Sequence, residues 1–78
     1  MDILRKRGSL EIHLEELLKK SGLSKTKFCQ MAELQHLQLN GYLKGTVTRL
    51  DVVVLVRICD TLNCTIGDLL EYVPPEQN

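Results

Sequence analysis

The chain has 78 residues, 44% of them hydrophobic and 26% charged, which supports one small core and excludes a second domain. Ten Lys/Arg balance ten Asp/Glu, and the hydrophobic fraction is too high for a disordered chain. No apolar run approaches the roughly 18 residues of a membrane span, and residues 1–8 lack the hydrophobic stretch of a secretion signal.

A cytoplasmic location is therefore expected, with Cys29, Cys59 and Cys64 serving as small buried hydrophobes. These cysteines show no C-x2-C spacing, and His13 and His36 no H-x3-H spacing, so neither a metal nor a cofactor is expected. The charge is unevenly distributed along the chain. Residues 1–50 carry nine Lys/Arg against five Asp/Glu, giving +4, and residues 51–78 carry one against five, giving −4. A polarised small domain can turn a basic face to phosphates while staying neutral overall. The alternative is an accidental asymmetry of solvated charges.

Arg5, Lys6 and Arg7 make residues 1–8 a basic arm, suited to a minor groove or to phosphates, or else simply a disordered start. Leu10, Leu14, Leu17 and Leu18 fall at i, i+4, i+7 and i+8, which predicts a first amphipathic helix. Ser9 suits its cap, and Glu11 the positive end of its dipole. Lys19 and Lys20 suit its last turn, and Gly22 its left-handed stop. Ser24 then caps a second helix with Phe28, Cys29 and Ala32 facing inward. Lys25 and Lys27 in its first turn oppose the helix dipole unless a phosphate lies nearby. The free N–H groups of that turn would meet the same phosphate.

The stretch QHLQLNGYLKG, residues 35–45, supports two readings. Locally it is a hairpin, with Leu37 and Leu39 alternating and Asn40-Gly41 as a strong turn signal. Over a longer window it is a helix with Leu39, Tyr42 and Leu43 on one face and Gly45 as its stop. A lone hairpin with such short arms is marginal. Helical burial of three large side chains offsets the roughly 1 kcal/mol that Gly41 costs relative to alanine. A third helix is expected.

Asp51 caps a fourth helix with Leu55, Ile58, Cys59 and Leu62 inward and Asn63 as its stop, although VVVLV (52–56) has strand propensity. With Leu55 inward, Val53 points almost opposite and Val56 to the side. Together with Arg57 they form a candidate homodimer patch. Thr65 and Asp68 form a T-x-x-D capping box that opens a short fifth helix around Leu69 and Leu70. The prolines of VPPEQN end it, and residues 74–78 are expected to be a disordered tail.

These elements predict an all-α domain of five short helices over residues 9–73, with a helix-turn-helix at about 24–44. The segment LEELLKKSGLSKTKFCQMAELQHLQLNGYLKG resembles the lambda-repressor/Cro-like (XRE-like) family of bacterial and phage regulators. The more specific RLDVVVLVRICDTLNCTIGDLLEY resembles the closing segment of a compact single-domain branch. Together they cover residues 10 to about 73. The resemblance implies a lambda-repressor-like DNA-binding fold and a sequence-specific transcriptional regulator, a bacterial or phage/mobile-element repressor, whose partner is double-stranded DNA.

Carried over by position, Cys29 lets the two helices approach closely, and Leu34, Leu39 and Tyr42 are buried. Gln35, His36, Leu37, Gln38 and Asn40 fall where the family makes base contacts in the major groove. The Gln38 amide suits an adenine edge and His36 a guanine acceptor. Leu37 suits a thymine methyl, unless it packs on the second helix. Lys25, Thr26 and Lys27 on one side, and Lys44, Thr46, Thr48 and Arg49 on the other, flank this surface as phosphate contacts. One such domain has a small footprint, so two copies on a palindromic site are expected.

The sequence departs from the family pattern at three positions. Glu33 stands where the turn usually has glycine, Gly41 where a side chain is usual, and Lys44 where asparagine is frequent. Glu33, Gly41 and the neutral net charge favour the alternative, a protein-interaction or antitoxin-like module on the same fold. Catalysis is not expected, because neither histidine has an acid partner positioned by the sequence, there is no glycine-rich phosphate loop, and Cys29 is expected to be buried rather than activated. There is no room for a separate sensing domain, and no small-molecule ligand is expected.

Overall fold

A computed structural model describes residues 7–75. Its helices are α1 (Leu14–Ser21), α2 (Lys25–Ala32), α3 (His36–Lys44), α4 (Val52–Leu62) and α5 (Ile66–Leu69). A two-stranded antiparallel sheet of β1 (Ser9–Ile12) and β2 (Leu70–Val73) joins the two ends of the described chain. The predominantly α class and its five helices match the expectation; the sheet does not. Arg5 and Lys6 of the basic arm lie outside the described residues, as does the tail from residue 76, while Arg7 is exposed.

The strands correct the reading of the first and fifth helices. Ser9 caps no helix and Glu11 is not at a helix start: the register is Ser9↔Val73, Leu10↔Tyr72, Glu11↔Glu71 and Ile12↔Leu70. The His13 N–H extends the ladder to the Leu69 carbonyl at 2.7 Å, and α1 starts only at Leu14, with no side-chain cap. Leu70 correspondingly belongs to β2. A four-residue spacing such as Leu10 to Leu14 is about one helical turn but also two strand periods, so it does not distinguish the two. The partner strand lies at the far end of the chain and decides the matter.

The register sets Glu11 directly opposite Glu71, an unfavourable like-charge pair. His13 relieves it. Its Nε2 lies 2.8 Å from a Glu71 carboxylate oxygen, and its Nδ1 lies 3.6 Å from Glu16. The Glu71 hydrogen bond is the main cause holding the His13 pKa above its ordinary value, with Glu16 and Glu11 adding to it against some desolvation.

Each helix contributes one large, fully buried side chain to a common core: Leu14, Phe28, Leu39, Ile58 and Leu69. The valine run of α4 is helical because Asp51 starts the helix there. Its carboxylate accepts from the N–H of Val53 at 2.9 Å and of Val54 at 3.4 Å. Val54, Leu55 and Ile58 then face the core. In α5 the capping box is complete: the N–H of Thr65 and of Asp68 each donate to the other's side chain at 3.0 Å. The bond from the Thr65 backbone is the main reason the Asp68 carboxyl sits below its usual range.

Helices α2, α3 and α4 end alike. Glu33 (φ 56°), Gly45 (φ 70°) and Asn63 (φ 52°) are left-handed. The next N–H of each, from Leu34, Thr46 and Cys64, reaches back to the carbonyls of Cys29, Gly41 and Cys59 at 3.0, 3.1 and 3.1 Å. Gly22 stops α1 at φ 75°, as expected. Cys29 is buried and Cys59 and Cys64 half-buried. Burial, reinforced by the neighbouring Cys59, pushes the Cys64 thiol up to about 11, which keeps it protonated and unreactive.

Candidate nucleic-acid interface

The interface is built on α2 and α3. Ser24 caps α2 by accepting from the Lys27 N–H at 3.1 Å, while the first N–H groups of any helix have no intrahelical partner. Lys25, Thr26 and Lys27 stand exposed around that end. The small buried residues Cys29 and Ala32 let α3 pack close on α2. The turn between them runs through Glu33 in the left-handed region, which costs a residue with a side chain about 1–2 kcal/mol. Leu34 is buried beneath the turn, as expected.

The stretch 35–45 is helical, with Asn40 and Gly41 inside α3 rather than at a hairpin tip. Leu39 and Tyr42 are buried and Leu43 half-buried. On the other side Gln35, His36, Leu37, Gln38 and Asn40 are all exposed. Leu37 does not pack on α2: it is 81% exposed, more than any other large hydrophobic residue among the described residues. The Gln38 side-chain oxygen accepts from the Gln35 N–H at 3.1 Å, so Gln38 caps its own helix. Gripping an adenine with both amide atoms would require that oxygen to release the cap or to serve both donors.

Gly41 faces the loop that follows α3. Thr46 donates to the Gly41 carbonyl from its backbone (3.1 Å) and its hydroxyl (3.5 Å). A Cβ on Gly41 would sit 3.4 Å from Val47. This return holds Thr46, Thr48 and Arg49 exposed beside Lys44 at the end of α3. The cations assigned to phosphates therefore flank α3 from the α2 start and from this loop.

Two features have no counterpart in the sequence reading. Lys19, at the end of α1, joins Lys25 and Lys44 around one groove, a convergence of three separate helices with no local signal. Val52, at 73% exposure, extends the patch of Val53 (56%), Val56 (50%) and exposed Arg57. The i, i+1, i+4 spacing of those valines was the available signal.

Two helices crossing through a three-residue turn, the second presenting polar side chains and flanked by cations, define a helix-turn-helix domain. The sequence pattern of the Cro/C1-type helix-turn-helix DNA-binding domain matches residues 13–75, and the chain belongs to that family. A solved structure, the crystal structure of the transcriptional regulator VanUg, superposes with a TM-score of 0.67. The two share 20% identity, over 95% of this chain and 97% of that one. No curated protein matches the sequence.

Proposed function

We propose that the protein is a sequence-specific transcriptional regulator, a repressor, that lays α3 in the major groove of double-stranded DNA. Leu37 carries this reading. An aliphatic side chain 81% exposed on the first turn of the second helix, among exposed Gln35, His36, Gln38 and Asn40, loses nothing by leaving water for a thymine methyl. Lys25, Thr26 and Lys27 on one side and Lys44, Thr46, Thr48 and Arg49 on the other neutralise phosphates and set the register of α3. The basic arm of Arg5, Lys6 and Arg7 would add contacts to a minor groove or to phosphates. Two copies joined through Val53, Val56 and Arg57, with Val52 beside them, would double the footprint on a palindromic site.

One observation favours a second reading. Glu33 holds an exposed carboxylate in the turn at a positive φ, where glycine would be unstrained and uncharged. That suits a protein-interaction module that has left the DNA groove. Fluorescence anisotropy with random-sequence duplex DNA separates the two. On the DNA reading, affinity falls roughly 10–100-fold between about 50 and 200 mM salt as counterions are released. It falls again in Lys25→Glu/Lys27→Glu. Absence of binding at low salt would leave the interaction module standing instead.

A further inference from the structure

A groove of about 520 Å³ is lined by α1, the start of α2 and the second half of α3. Buried Leu18 and half-buried Leu23 and Leu43 give it an apolar floor, and the exposed residues Lys19, Lys25 and Lys44 make its rim. Glu15 is the only acid on that lining and lies 3.5 Å from the Lys19 amine, so three cations face one carboxylate. We infer that this groove binds a small amphipathic anion, an aromatic or acyl body carrying a carboxylate or sulfonate, and that its occupancy excludes DNA.

The volume falls within the few hundred Å³ of small-molecule sites. An inorganic ion would meet the lysines but leave the leucine floor wet. A neutral apolar solute would cover the leucines and gain nothing from the cations. A ligand with both parts uses the whole lining: its apolar body leaves water and its charge pairs with the exposed lysines of the rim. A DNA phosphate can reach the rim, but a duplex is too wide to enter. Lys25, Asn40 and Lys44 belong both to this lining and to the surface assigned to DNA. The exclusion half of the inference therefore rests on the proposed function. Because coupling is reciprocal, ligand lowers DNA affinity by the factor by which DNA lowers ligand affinity. The reading head itself would then carry an inducer site, contrary to the expectation from sequence that no small-molecule ligand binds.

The first arm of the test uses no DNA. Titration with 1-anilinonaphthalene-8-sulfonate, followed by its fluorescence, should saturate at one site. Affinity should fall about tenfold or more in Lys25→Glu/Lys44→Glu, and stay unchanged in Lys27→Glu, which lies outside the groove. Circular dichroism confirms that each exposed-lysine variant is folded. N-phenyl-1-naphthylamine, the same rings without the sulfonate, should bind about tenfold more weakly. Equal binding of the neutral analogue, equal binding by the double variant, or no binding overturns the site. In the second arm, probe at about ten times its Kd should weaken duplex binding about tenfold, and further with each increase in probe, as competition for one surface requires. Simultaneous binding of probe and DNA overturns the exclusion. Failure to bind DNA without probe overturns the proposed function instead, while the first arm still decides the groove.

Discussion

At the sheet end of the domain, Glu11, Glu16 and Glu71 from three elements surround His13, and the imidazole pairs with two of them, Glu16 and Glu71. At the helix-turn-helix end, Lys25, Lys27, Lys44 and Arg49 make no ion pair with any described residue; the lysines project from short helices and Arg49 from the loop after α3. The first end uses charge to close the chain on itself; the second leaves charge facing solvent on a packed frame. Both ends depend on the same core, because each helix buries one large side chain completely. The difference separates residues that hold the fold from residues available to a partner.

The strongest way to break that comparison is through the core. Leu69→Ala beside the sheet and Leu39→Ala under α3 each should cost about 2–5 kcal/mol in urea unfolding, since both side chains are fully buried. A loss well below this for Leu69→Ala would mean that the sheet end is an appendage rather than part of one cooperative unit. A smaller effect should come from the turn. Glu33→Gly removes left-handed strain of about 1–2 kcal/mol and adds chain entropy of about 0.5–1, so thermal unfolding should show a net gain of about 0.5–1 kcal/mol. The matching change Asn63→Gly should stay within a few tenths, because asparagine tolerates that conformation. Glu33→Gly should also tighten DNA binding at low salt.

Gly41→Ala should stabilise α3 by roughly 0.5 kcal/mol, since the helix gains an alanine whose Cβ meets Val47 at an ordinary 3.4 Å. The finest discrimination is by pH. Folding raises the His13 pKa, so the stability it contributes is complete below its unfolded value near 6.5 and is lost as pH rises through the folded value. Unfolding followed from about pH 6 to 9 should show that loss, and Glu71→Gln should flatten it. A profile unchanged by Glu71→Gln would remove His13 as the clasp of the sheet end.

Much of the interface was readable before any fold was known. Ser24, Asp51 and the Thr65–Asp68 pair act within a few residues of themselves, and Gly22 and Gly45 stop their helices by their own conformational freedom. Helical periodicity also resolved the 35–45 stretch against its hairpin signal, because Leu39, Tyr42 and Leu43 had to share a face. The same kind of evidence misled at Leu10, whose spacing fitted a helix although its segment pairs as a strand.

What the sequence by itself determined was therefore whatever is settled within about one helical turn: where α2 to α4 begin and stop, where α5 begins, which side chains face in, and the helix-turn-helix frame. Only the tertiary structure decided the rest, since each remaining feature needs residues distant in the chain to meet. The pairing of Leu10 with Tyr72, the His13 clasp on Glu71, the exposure of Leu37 and the gathering of Lys19, Lys25 and Lys44 around one groove all belong to that second class. Local periodicity and capping carry no information about contacts between distant segments, and those contacts are made by packing.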